Sequence, residues 1–174
     1  MKNILKFTVA FFLVIISSAG IVQAQKFAHV DFQKLVEAMP ERQKALQTLQ
    51  EEYKEAQDMI EEMSVELNQK YMNAQKNYDS LSEMGRQMLE EELMSQQQRI
   101  QEYQTNAEKK LSERREELLN PVIEKAQKAI DVVAEEEGYI YVFDVSEGSQ
   151  VLYFSGKSEN ILPEVKKQLG ITGE

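Results

Sequence analysis

The chain has no cysteine, one histidine and only three prolines in 174 residues. Without cysteine there is no disulfide, no thiolate nucleophile and no lipid-attachment site. With one imidazole as well, His/Cys nucleophilic centres and the usual zinc sites are excluded. The lone His29 falls in a short apolar stretch and reads as a strand-face residue. No glycine-rich loop is present to cradle a phosphate. Paired carboxylates at Glu51-Glu52, Glu61-Glu62 and Glu90-Glu91-Glu92 lie on a helix-forming stretch. There they read as solvated charge, not as a general acid and base. Neither an enzyme nor a metal or organic cofactor is expected.

Long apolar runs are also missing. The nearest is Phe7 to Ile16, ten residues behind Lys2 and Lys6. That is short of the ~18 a membrane helix needs. With Val22-Gln23-Ala24 behind it, the segment reads as a signal peptide covering residues 1–24, cleaved after Ala24. The mature chain is then expected in the periplasm, with no stable membrane insertion. Its 150 residues carry 18 basic and 30 acidic side chains, a net charge of −12. Such a surface argues against nucleic acid and anionic lipid as partners.

What is abundant is helix. From Glu41 to Asn120 there is no proline and one glycine, Gly85, among many Glu, Gln, Lys, Leu and Met. Apolar residues recur in threes and fours, the narrow seam of a coiled coil. Ser80 followed by Glu83 fits a capping box, a helix start inside a helical run. Reflection about Ser80 pairs Leu49 with Leu111, Tyr53 with Ala107, Ile60 with Ile100, Leu67 with Leu93 and Tyr71 with Leu89. It also sets Pro40 near Pro121. The expectation is an antiparallel helical hairpin over residues 41–120 with its tip near 79–83. Pro121 is expected to act as a hinge at its base.

Residues 25–40 and 121–174 are expected to form a small head. Lys26 to Phe32, Tyr139 to Val145 and Gln150 to Phe154 read as three strands, the last two joined by a turn at Ser146–Ser149. A further helix is expected near Leu162–Leu169. The fold class is thus α+β: a three-stranded head carrying a long helical hairpin. The strands are apolar on both faces, so one face is expected to meet other copies. The residues assigned to it are Ala28, Val30, Ile140, Val142, Val151 and Tyr153.

Methionine is unevenly placed. Six of the seven in the mature chain lie between Met59 and Met94. Met63, Met84 and Met88 fall on or near the seam and read as packing residues. Met59, Met72 and Met94, with Tyr71 and Tyr78, lie where a bound chain could reach them. Polar seam positions Lys70, Asn77 and Gln96 should loosen the same half.

The head segments Lys26-Phe27-Ala28-His29-Val30-Asp31, Tyr139-Ile140-Tyr141-Val142-Phe143-Asp144 and Val151-Leu152-Tyr153-Phe154, with Ile161 to Leu169, resemble the Skp/OmpH family of periplasmic chaperones. The resemblance covers the whole mature chain. It implies a jellyfish-like homotrimer whose helical tentacles enclose a cavity. It further implies ATP-independent holding of unfolded outer-membrane proteins and help in their delivery to the outer membrane. One departure is charge. Well-known members are strongly basic, so electrostatic client capture and a basic lipopolysaccharide site are not carried over to this acidic chain. The alternative is a coiled-coil spacer or adaptor of the cell envelope that binds one folded partner.

Overall fold

The computed structural model describes residues 25–171, so the expected signal segment lies outside the described residues. Strand β1, Lys26–Val30, is followed by a short helix, Phe32–Glu37. Asp31 caps that helix, its carboxylate accepting from the Lys34 N–H at 2.9 Å. Met39 is extended, as a residue before proline must be. Pro40 then opens the outgoing helix, Pro40–Asn77. After a 3-10 turn at Tyr78–Ser80, the return helix runs from Glu83 to Glu137. Gly138, at φ 72°, ends it in the left-handed region, which glycine tolerates without strain. Strands β2, Tyr139–Asp144, and β3, Glu159–Asn160, and a last helix, Leu162–Gln168, complete the head. Among the described residues no helix is long and apolar enough to cross a membrane.

The three strands form one parallel sheet in the order β2-β1-β3. Parallel strands need a long crossover, and here the whole helical hairpin is that crossover. Two expectations are corrected. Among the described residues, Gln150–Phe154 pairs with no strand. The turn before it does form, with the Ser149 N–H donating to the Ser146 carbonyl at 3.0 Å. The third strand is instead Glu159–Asn160, on the far edge of β1. The physical reason lies at the end of β2. Asp144 takes hydrogen bonds from the Ser146 N–H and hydroxyl and from the Phe32 N–H, which turns the chain out of the sheet.

One face of the sheet is covered. Val122, Ala126, Ala129 and Val133 of the return helix form a helical stripe against Ala28 and Val30, with Leu35, Met39, Ile161 and Val165 filling the rest. Full burial of each large member contributes about 1.5–3 kcal/mol.

The hairpin turns later than a reflection about Ser80 requires. Ser82, not Ser80, caps the return helix, accepting from the Gly85 N–H at 3.2 Å. Leu81 and Ser82 are both extended, which uses up chain before the helix restarts. Each cross-arm ion pair accordingly lies further along the return helix. Lys70 meets Glu92, Glu52 meets Arg114, and Glu41 meets Lys125. Carbodiimide, which joins touching amines and carboxylates directly, should therefore link Lys70 to Glu92 and Lys125 to Glu41 within one chain. Links found only between isotopically distinct chains would contradict the hairpin.

Pro121 lies inside the return helix, which continues on both sides of it. Lacking an N–H, it leaves the Glu117 carbonyl without its helical donor. Just beyond it, Lys125 ties the return helix to Glu41 at the foot of the outgoing one.

Candidate functional site

Two exposed apolar surfaces stand out, one on the distal arms and one on the head. The seam of the arms mixes large apolar side chains with alanine and polar residues. On the outgoing helix the least exposed positions are Ala45, Leu49, Glu52, Ala56, Ile60, Met63, Leu67, Lys70 and Ala74. On the return helix they are Leu89, Leu93, Gln96, Ile100, Tyr103, Ala107, Leu111 and Arg114. Tyr53, expected in the seam, is 53% exposed. The displaced register puts Glu52 inward in its place, where it holds Arg114 at 2.9 Å.

Polar groups soften the distal seam. Gln96 is buried, and its Oε1 has no hydrogen-bond partner. An orphaned buried acceptor costs about 1–3 kcal/mol. Ser64 donates back to the Ile60 carbonyl at 2.7 Å, a bond that bends helices. Lys70, 2.8 Å from Glu92, holds that carboxyl below its usual range. Lys125 does the same to Glu41. A depressed carboxylate stabilises the fold above its unfolded pKa, and the gain is lost as pH falls through the folded one. Both ties therefore loosen in acid.

The tip is held together by Arg86. Its guanidinium lies 4.9 Å over the Tyr78 ring and donates to the Tyr78 carbonyl at 3.0 Å. The Tyr78 hydroxyl donates to Glu90 at 2.9 Å. Tyr78 is thus a turn-closing residue whose ring is still partly open.

The distal arms expose apolar side chains that their own packing does not use. Met59, Met72 and Met94 are exposed, as is Tyr71. Met84 and Met88, expected near the seam, are 73% and 65% exposed, which corrects that reading. Their turn begins two residues later than Ser80, so they rotate outward. Met63 alone of the distal group is half-buried.

The head surface is the uncovered face of the sheet. Phe27, Tyr141 and Phe143 stack across β1 and β2 with ring centres 6.0 to 6.4 Å apart. His29 lies 4.4 Å from the Phe154 ring and 2.9 Å from the Ser158 hydroxyl. The unpaired segment continues the surface, with Leu152 fully exposed and Tyr153 83% exposed. Phe27, His29, Phe143, Leu152, Tyr153 and Phe154 border an open cleft of about 870 Å³.

This corrects the face assigned to other copies. Ala28 and Val30 are buried under the chain's own helices, and Val142 packs on the same core. Ile140 remains exposed because it is the extra residue at the register shift beside Lys26 and Phe27. Tyr153 is exposed and Val151 half-buried. Phe27, Phe143, Phe154 and Leu152, not singled out from the sequence, are exposed on the uncovered side. A signal for them was present. Small Ala28 matches the small Ala126 and Ala129 of the covering helix, which leaves the aromatic alternates for the other side.

The family model described as "Outer membrane protein (OmpH-like)" matches residues 26–169. Among curated relatives, the protein named "Chaperone protein Skp" of Photorhabdus luminescens is 28% identical, covering 87% of this chain and 90% of its own. The one of the same name in Pectobacterium atrosepticum is 25% identical, covering 88% and 93%. That of Blochmanniella pennsylvanica is 28% identical, covering 83% and 86%.

Proposed function

Since the chain belongs to the OmpH-like family, we propose that it is an ATP-independent periplasmic holdase that binds unfolded outer-membrane proteins and assists their delivery to the outer membrane. The observation that carries this reading is the apolar surface of the distal arms. The chain exposes Met59, Met72, Met94 and Tyr71 there, outside a seam filled by leucine, isoleucine, alanine and polar groups. An unfolded barrel strand exposes apolar side chains at every second position. Flexible thioethers can follow such a surface without fixing its sequence. Tyr78 would contribute its open ring edge. No bond is made or broken, so no catalytic group and no cofactor take part.

The head supplies the assembly. Its uncovered aromatic face and the unpaired Gln150–Phe154 segment would meet the same elements of two further copies, giving a homotrimer whose three arms surround the client. An exposed apolar segment of high strand propensity is a ready partner for another chain. Weak contacts on three arms then add through multivalency.

The test is binding to several unrelated barrel proteins, each offered unfolded and folded. A holdase binds the unfolded forms and ignores the folded ones. A spacer binds one folded protein and none of the unfolded chains.

Pro121 is proposed as the hinge that lets the arms part around large clients. Pro121→Ala restores a helical hydrogen bond and should narrow the spread of arm angles in solution scattering, with the assembly intact. An unchanged spread would remove Pro121 from the mechanism.

A further inference from the structure

Five methionines in the distal arms are exposed, and nothing in the arm's own structure calls for sulfur at any of them. Leucine forms helix as well as methionine does, so helix formation does not select it. None of the five is buried in the seam, so core shape does not select it either. The contrast with the head is complete, because Met39 there is fully buried. The chain also has no cysteine. Its thioethers are therefore its most readily oxidised groups, and they are accessible where clients are read as binding and shielded in the core.

We propose that Met59, Met72, Met84, Met88 and Met94 form a reversible oxidation site through which a peroxide or a hypohalous acid lowers the hold on clients. The proposal rests on the distal-arm reading above. In the chemical step a sulfur lone pair attacks the electrophilic oxygen. A sulfur–oxygen bond forms as the oxygen–oxygen or oxygen–halogen bond breaks, leaving water or halide. Sulfur loses two electrons and the oxidant gains them. The product is a sulfoxide, polar and chiral where the thioether was apolar and flexible. A dithiol reductant reverses it, taking the oxygen off as water and becoming a disulfide. Because the five side chains lie outside the buried seam, the arm keeps its fold through the change. Only the surface offered to the client is altered.

The experiment oxidises the mature protein with hydrogen peroxide and maps the added oxygens, about 16 Da each, by peptide mass. Oxygen should appear on the five distal methionines, later on Met63, and not on Met39. Helicity should be unchanged. Affinity for an unfolded outer-membrane protein should fall about tenfold and return after treatment with reductases for both sulfoxide epimers. A variant with all five changed to leucine, given the same peroxide, should alter its own affinity by less than about twofold. Mapped oxygens with unchanged affinity would overturn the proposal and leave the holdase reading standing. So would an equal loss in the leucine variant, which would place the effect on other residues. Failure of the untreated protein to bind any unfolded chain would overturn both.

Discussion

Phe143→Asp is expected to turn the proposed trimer into monomers. Phe143 stands on the uncovered sheet face, stacked on Phe27 and Tyr141 with ring centres 6.4 and 6.0 Å away. In a trimer the substitution would bring three new carboxylates into one apolar contact. Desolvating an unpaired charge costs several kcal/mol, on top of about 1.5–3 kcal/mol of lost apolar burial per ring. The chain's own core should tolerate the change, because it lies behind the sheet around Ala28, Leu35 and Val165. Sedimentation should thus show about a threefold loss of mass with the circular dichroism of wild type. A trimer of undiminished stability would mean that copies meet elsewhere. Leu152→Asp is the companion variant. It should weaken assembly if the unpaired segment also lies in the contact.

Replacing Met59, Met72 and Met94 together by serine is expected to weaken client binding by about tenfold or more. A thioether that buries part of its surface on a client contributes about 0.5–1 kcal/mol. Three such losses along one client exceed the 1.4 kcal/mol that makes a factor of ten. All three are exposed, so the arm itself should remain folded. Salt separates this from an electrostatic account. The mature chain carries a net charge of −12. Screening then relieves repulsion and leaves apolar burial in place, so wild-type affinity should hold or rise as salt is added. Wild-type binding that collapses in moderate salt, beside an unaffected triple variant, would show that charge carries the client.

The long elements were legible because their signals are long. Some eighty residues without proline, rich in helix formers and with apolar residues recurring in threes and fours, read as helix, and Gly138 and Pro40 mark ends by backbone geometry alone. The exact turn was harder to read. Ser80 and Ser82 are both capping residues followed three positions later, by Glu83 and Gly85 respectively. Side-chain chemistry favours the first, while the structure uses the second. With the later turn, Met84 and Met88 lie exposed, and Glu52 rather than Tyr53 lies in the seam.

The sheet was legible in β1 and β2 but not in its third strand. Gln150–Phe154 has the composition of a strand, yet strand propensity reports fit to a pleated surface and does not choose a partner. Glu159–Asn160 has no pattern at all and pairs because the chain passes β1 on its way to the last helix. The two faces of β1 were distinguishable only through the covering helix. Its small residues Ala126 and Ala129 select small Ala28 and leave Phe27 and His29 outside.

The most direct measurement is sedimentation of the protein mixed with one outer-membrane protein diluted from urea, without nucleotide. A soluble complex of one unfolded client with three copies of this chain, stable to added salt, is expected. A client that pellets as aggregate, leaving the protein alone in solution at its free mass, would contradict it.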